Sequence, residues 1–284
     1  MPYSPMLRLP SALAIIHPLP SLLVSGLVLA LALVAGGELP AAVLLASGML
    51  GFQVSIGSLN DIVDAEHDRV GGRAKPIPAG FVTRRTAAAI ALGGALVGFG
   101  VSAVFGLGVL VLGALGYGCG LAYDLAGHRR GWGWLCFAAA FPILLAWTWL
   151  AAAGTLPPGW PLLLPLAALA GPTIHLANSL VDLETDEALG LASLAVRLGR
   201  GRAWTVLVLL SASVHLLAWA TLVAIRPLPP LAVVLAAGGS LVAVVGLLRI
   251  RAVDRRGRVA GWLLGALGLA MLAIALGLGL TRAG

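Results

Sequence analysis

Hydrophobic positions in this chain neither alternate with polar ones nor mark a single helical face. They run on, with turn-forming or charged residues only at the breaks. Nine such runs can be drawn, at roughly 18–37, 41–60, 86–105, 108–126, 133–153, 161–181, 203–224, 230–248 and 260–280. A helix needs about 20 apolar residues to cross roughly 30 Å of hydrocarbon. A spanning β-strand would instead show alternation, which is absent. A soluble fold of 284 residues has no interior large enough to hide these runs. The first run, about 19 residues long, exceeds the apolar core of a secretory signal and reads as a span. The pattern predicts an all-α polytopic membrane protein, one domain over 1–284.

Composition agrees: 60% of residues are hydrophobic and 10% are charged. The placement of charge tests the span count. Arg8, Arg69, Arg73, Lys75, Arg84, Arg85, Arg129, Arg130, Arg197, Arg200, Arg202, Arg249, Arg251, Arg255, Arg256 and Arg258 all fall on one side of the nine-span topology, leaving Arg226 and Arg282 on the other. Under the positive-inside rule this predicts a cytoplasmic N-terminus and an outside C-terminus in a cell membrane. The net charge of +7 is then a topology signal and no reason to infer nucleic-acid binding.

Acids are scarce, and eight of the eleven sit in two windows, 61–68 and 182–187. The windows follow spans 2 and 6, which run in the same direction. They also resemble each other. "NDIVDAEHDRVGG" from residue 60 and "NSLVDLETDEALG" from residue 178 share the pattern N-x-x-V-D-x-x-x-D-x-x-x-G. Asn60, Asp64, Asp68 and Gly72 correspond to Asn178, Asp182, Asp186 and Gly190, which predicts a parallel internal repeat of about four helices.

Helical spacing gives the repeat a chemical meaning. Steps of four residues advance about 400°, so Asn, Asp and Asp form a stripe that drifts only about 80° along one face. Asp61 joins the first stripe. Two such ladders facing one cavity would repel by about 3 kcal/mol per like-charged pair at roughly 6 Å and an effective dielectric near 20. That predicts a cation between them. Hard oxygen ligands select Mg²⁺ or Ca²⁺, and Mg²⁺ takes few carboxylates and completes its shell with substrate phosphates. Directly after the first ladder, "GGRAKPIPAG" supplies Arg73 and Lys75, cations suited to phosphate oxygens. A metal–diphosphate clamp is the reading these residues carry.

The sequence resembles the UbiA superfamily of intramembrane prenyltransferases. "NDIVDAEHD" matches that family's motif after the second helix, "RAKPIPAG" the basic segment that follows, and "DLETD" with Gly190 and "SLAVRLG" the motif after the sixth helix. In "YDLAGHRRGWGW", Tyr123 and Arg129 match a third family segment, with His128 where Lys is common. The resemblance implies nine helices around a central cavity, with segments 61–85 and 182–202 capping the active site. It implies two Mg²⁺ ions held by Asn60, Asp64, Asp68, Asn178, Asp182 and Asp186, and a diphosphate bound by Arg73, Lys75, Tyr123 and Arg129. Asp61, Asp64, Asp68, Asp182 and Asp186 become the catalytic acids, with Asp61 placed to orient or deprotonate the acceptor. The implied activity is Mg²⁺-dependent transfer of an isoprenyl group from its diphosphate to an aromatic or other lipophilic acceptor, the donor tail running through a lateral gap toward membrane lipid.

Two other readings are open. A membrane terpene cyclase would ionise the same donor without an acceptor. A cation-coupled transporter would place its acids near the midplane between inverted repeats, which this pattern does not do. Cys119 and Cys136 read as packing residues. Tyr117, Trp132, Trp134, Trp147 and Trp149 are candidates for a cavity lining or a membrane interface, with interface or packing favoured for most.

Overall fold

The computed structural model describes residues 11–70, 75–156, 159–225, 227–252 and 254–283. Every regular element among them is helical. After a short 3₁₀ segment, Ser11–Ile16, come α1 (Pro18–Val34), α2 (Leu39–Val70), α3 (Arg84–Val104), α4 (Leu107–Ala122), α5 (Gly133–Ala153) and α6 (Trp160–Val181). Two short helices, α7 (Leu183–Ala188) and α8 (Leu194–Leu198), precede α9 (Arg200–Ala224), α10 (Pro230–Ile250) and α11 (Arg255–Ala283). Among the described residues nine helices are long and apolar enough to cross a membrane, and they fall on the nine predicted spans.

One boundary is corrected. The sequence reading opened a cytoplasmic segment at residue 61, but α2 continues unbroken to Val70, 32 residues in all. At 1.5 Å per residue that is about 48 Å, against roughly 30 Å of hydrocarbon, so its last turns extend beyond what the membrane alone requires. The polar end of α2 therefore remains a rigid rod carrying Asn60, Asp61, Asp64 and Asp68.

Helices α1, α2, α4, α5, α6 and α11 pack in a ring, each against the next, and α11 closes back on α1. Helix α3 lies outside α2 and α4, while α9 and α10 flank α6 and α11. The outer helices carry exposed apolar side chains such as Leu96, Val104, Leu216 and Leu248, as a lipid-facing surface requires.

Apolar helices gain little from burying apolar surface when the solvent is lipid, so close backbone approach must hold them together. Gly51 and Gly94 show it at the α2–α3 contact. A Cβ on Gly51 would stand 2.7 Å from the Gly94 carbonyl oxygen, and one on Gly94 would stand 2.5 Å from that of Gly51. Helix α3 starts where Thr83 accepts a hydrogen bond from the Thr86 amide at 3.1 Å, an ordinary N-cap.

Candidate active site

The ring encloses a cavity of about 1010 Å³. At one end its wall includes Asn60 and Asp64 from α2, Lys75, Asn178 from α6 and Asp182. Two residues of each ladder thus open into the same space, while Asp68 and Asp186, also expected as metal ligands, are buried and are not part of the cavity wall. Arg73 and Gly72 lie outside the described residues.

The first ladder keeps its predicted stripe. Asp64, half-buried, accepts a hydrogen bond from Arg129 Nη2 at 2.9 Å, and the same nitrogen donates to the Val63 carbonyl at 2.9 Å. Asp61 and Asp68, each 1% exposed, are tied together by one cation. Lys75 Nζ lies 2.9 Å from Asp61 Oδ1 and 3.0 Å from Asp68 Oδ2. Burial alone would pull the Lys75 ammonium down; the charges of Asp61 and Asp68 outweigh it and hold the group above its ordinary lysine value. His17 Nε2 also lies 3.2 Å from Asp61 Oδ1. His17 takes a left-handed conformation (φ 46°) at the start of α1 and packs on Gly57, where a Cβ would come 2.9 Å from its ring. Asp61, expected to reach the acceptor, is thus engaged by His17 and Lys75.

The second ladder differs from the first in local structure. Helix α6 ends at Val181, and Asp182 takes φ −104° and ψ 10° before α7 begins at Leu183. Asn178, Asp182 and Asp186 are therefore distributed over a helix end, a hinge residue and a second short helix, rather than one continuous stripe. Pro165 and Pro172 already remove two backbone donors from α6. Asp182 Oδ1 accepts from Arg255 Nε at 3.0 Å and Nη2 at 2.9 Å. Asp186 is fully buried, with His128 Nε2 at 3.9 Å.

Between the ladders stands the end of α4. Its α-helix passes into a π-helical turn, Tyr123–Gly127, and a last turn, His128–Arg130. π-turns insert a residue, re-aim the side chains that follow, and recur at functional sites. Here the turn places Tyr123, Asp124 and His128 in the cavity wall. The Tyr123 hydroxyl lies 3.3 Å from His128 Nδ1, and its ring meets those of Phe137 at 5.2 Å and His175 at 5.7 Å. His128, which stands where the family commonly has Lys, belongs to a helical turn packed against Tyr123.

Away from the acids the wall is apolar. Tyr117, Trp147 and Trp149 belong to it rather than to a membrane interface; Trp147 and Trp149 are 2% and 4% exposed. Trp147 Nε1 donates to Ser102 Oγ at 3.1 Å, and the Ser55 and Tyr117 hydroxyls pair at 2.8 Å. Cys119 and Cys136 line it too. The far end lies at Leu31, Trp149 and Gly277. There a Cβ on Gly277 would meet Val34 Cγ1 at 2.9 Å and Trp149 Cη2 at 3.3 Å, so three helices converge. From Pro18 to Val34 along α1 is about 24 Å at 1.5 Å per residue.

The sequence pattern of the UbiA prenyltransferase family matches residues 21–264. The chain belongs to that family. A digeranylgeranylglyceryl phosphate synthase of Methanopyrus kandleri is 32% identical over 176 residues, which is 61% of this UbiA chain and 64% of that protein. Among solved structures, an apo UbiA homolog from Aeropyrum pernix K1 superposes with a TM-score of 0.74 at 22% identity, covering 90% of this chain and 96% of that one. A UbiA homolog from Archaeoglobus fulgidus bound to GPP and Mg²⁺ gives 0.70 at 18% identity, covering 93% and 99%. These likenesses show that the chain shares the fold of solved UbiA homologs, and the nine membrane-length helices among the described residues make it a multi-pass membrane protein.

The donor set of this UbiA site suits a hard divalent ion. Among the described residues no three of His, Cys, Asp and Glu stand together as a ready-made metal cage. Mg²⁺ does not need one, since it binds through one or two carboxylates plus phosphate oxygens and water. Asn60 and Asp64 on one wall, with Asn178 and Asp182 on the other, offer carboxylate and carboxamide oxygens, the hard donors that Mg²⁺ takes. Sequence reasoning missed three residues here. Arg255 was read as a topology charge, and His17 carries no motif. Asp124 is an acid inside a predicted span, which is by itself a signal of function.

Proposed function

We propose that this protein is a Mg²⁺-dependent intramembrane prenyltransferase, taking an isoprenyl diphosphate and passing the prenyl group to a lipophilic acceptor. The observation that carries it is one cavity whose polar end is walled by Asn60, Asp64, Asn178 and Asp182 and whose remainder is mostly apolar. An amphiphile with a metal-binding polar head and a long hydrocarbon tail matches that division.

Asn60, Asp64 and Asp68 would hold one ion and Asn178, Asp182 and Asp186 the other. Bound there, Mg²⁺ supplies the positive charge that stabilises the departing diphosphate. Lys75, Arg129 and Arg255 now face carboxylates across 2.9 Å contacts. They are placed to turn to phosphate oxygens once divalent charge offsets those acids, with Arg73 and Tyr123 assigned to the same anion. The wall beyond excludes water, which protects an allylic cation from capture. Rings of Tyr123, Phe137 and Phe141 line it near the acid end, where their faces stabilise positive charge.

The tail would lie along the apolar shaft toward Trp149 and Gly277. The stretch that lines the shaft along α1, His17 to Leu31, rises about 21 Å at 1.5 Å per residue, which favours a donor of several isoprene units over a five-carbon one. The basic residues flanking the acid end support a cytoplasmic site and N-terminus, with the C-terminus outside. Segments 71–85 and 182–202 would cap the site within a single domain of 1–284.

The test is a screen of isoprenyl diphosphates with purified protein in nanodiscs, with Mg²⁺, with and without lipophilic acceptors, read by mass spectrometry. Acceptor-dependent diphosphate release and a prenylated product are expected. A cyclic hydrocarbon formed without acceptor would replace this reading with a cyclase, and no turnover of any donor would remove it.

A further inference from the structure

Asp124 is an acid that neither ladder nor the basic segment accounts for. It lies in the π-helical turn, is 4% exposed, and forms part of the cavity wall. Its Oδ1 accepts a hydrogen bond from Asn60 Nδ2 at 3.1 Å, across from α4 to α2. Its Oδ2 is buried with no hydrogen-bond partner among the described residues. A buried carboxylate half left without partners is a poor packing residue, and such groups call for a functional explanation.

A carboxamide has two ends of similar shape and opposite character. An NH₂ group cannot ligate a cation, so Asn60 serves a metal only through Oδ1. Left alone, the group can rotate by half a turn and present either end. A carboxyl oxygen that carries no proton is acceptor-only, so it captures the NH₂ end. Asp124 does so, and Asn60 Oδ1 has no protein partner among the described residues. Asn178, the matching residue of the second ladder, has no such hydrogen bond among the described residues.

We propose that Asp124 is a positioning residue for the first metal site: it fixes the Asn60 carboxamide so that its oxygen faces the cation, and the second site lacks this device. The inference rests on the metal-dependent reading above. The π-turn is what makes it possible, because the residue it inserts into α4 brings the Asp124 side chain round to α2. Outer-shell partners of this kind orient ligands elsewhere, and their loss costs roughly 10- to 100-fold in metal affinity.

The experiment measures metal binding without substrate. Mn²⁺ alone is titrated into the full-length protein in nanodiscs, and free ion is read by electron paramagnetic resonance. Wild type should show two classes of site. Asp124→Asn should weaken one class by about tenfold or more, because two carboxamides can then pair in either orientation, and leave the other class unchanged. The exchange N60D/D124N should restore binding to within about threefold, since the new amide at 124 donates to one carboxylate oxygen at 60 and leaves the second for the cation. A residue that only supports the fold would gain nothing from that exchange. Helical circular dichroism and size exclusion check folding; if Asp124→Asn does not fold, the exchange variant alone decides.

Unchanged binding in Asp124→Asn, equal loss from both classes, or an exchange variant no better than the single one overturns the proposal. Absence of Mn²⁺ binding in wild type overturns the proposal, while the metal-dependent reading stands or falls separately on the donor screen with and without Mg²⁺.

Discussion

Arg255, the first residue of α11, holds Asp182 Oδ1 through both Nε at 3.0 Å and Nη2 at 2.9 Å. Arg129 donates to Asp64 Oδ1 through Nη2 alone, at 2.9 Å. The central acid of each ladder is therefore matched to an arginine from a different element. Planar guanidinium groups serve carboxylate and phosphate oxygens equally well. Substituting Arg255 by Ala should raise the KM for the isoprenyl diphosphate by about tenfold or more, as loss of one charge-assisted contact implies. Initial rates at varied donor concentration check it, and an unchanged KM would return Arg255 to a purely topological role.

Asp64→Ala and Asp182→Ala should each lower diphosphate release by at least about a hundredfold, the scale of losing one stabiliser of developing charge. Chelation with EDTA should abolish release, and added Mg²⁺ should restore it. Full activity in either variant would contradict a shared metal site.

Removing the Lys75 cation leaves two carboxylates, each 1% exposed, with less positive charge beside them. Breaking a buried ion pair by deleting one partner costs about 3–5 kcal/mol, so Lys75→Met should unfold at lower temperature than wild type. The pH dependence has a definite sign. The folded-state value of Lys75 is raised, so its contribution is fully present below the ordinary lysine range and fades only as pH climbs through the higher folded value. The difference between wild type and Lys75→Met should thus stay flat from about pH 7 to 9. A difference that disappears within that interval would mean Lys75 is already neutral there.

The far end of the cavity should set the donor. Gly277→Leu adds bulk where Val34 and Trp149 already stand within 3.3 Å of any Cβ. It should shift preference toward shorter isoprenyl diphosphates while leaving the shortest accepted donor active. Trp149→Ala should do the reverse. Competition between donors of different length, read as product masses, measures both, and unaltered profiles would place the tail elsewhere.

Gly51→Val should be strongly destabilising, since its side chain would meet the Gly94 backbone rather than a yielding side chain. A thermal midpoint in detergent within a degree or two of wild type would contradict that contact.

Helix number, membrane class and the two acid windows were legible in the sequence because each depends on composition within a short stretch. A bilayer demands about 20 apolar residues whatever the rest of the chain does. Likewise, four-residue spacing defines a stripe on any helix. On that basis Asn60, Asp64, Asn178 and Asp182 were assigned together, and the structure brings them to one cavity. What tertiary structure decided are the relations between elements. The chain is bent at Asp182, so its second ladder changes helix; the local cue, a valine–aspartate step like that at Val63–Asp64, is the same in both copies. Lys75 closes on Asp61 and Asp68, Arg255 on Asp182, and a π-turn carries Asp124 to Asn60. Each of these joins residues from separate elements, through long-range packing that no local periodicity encodes.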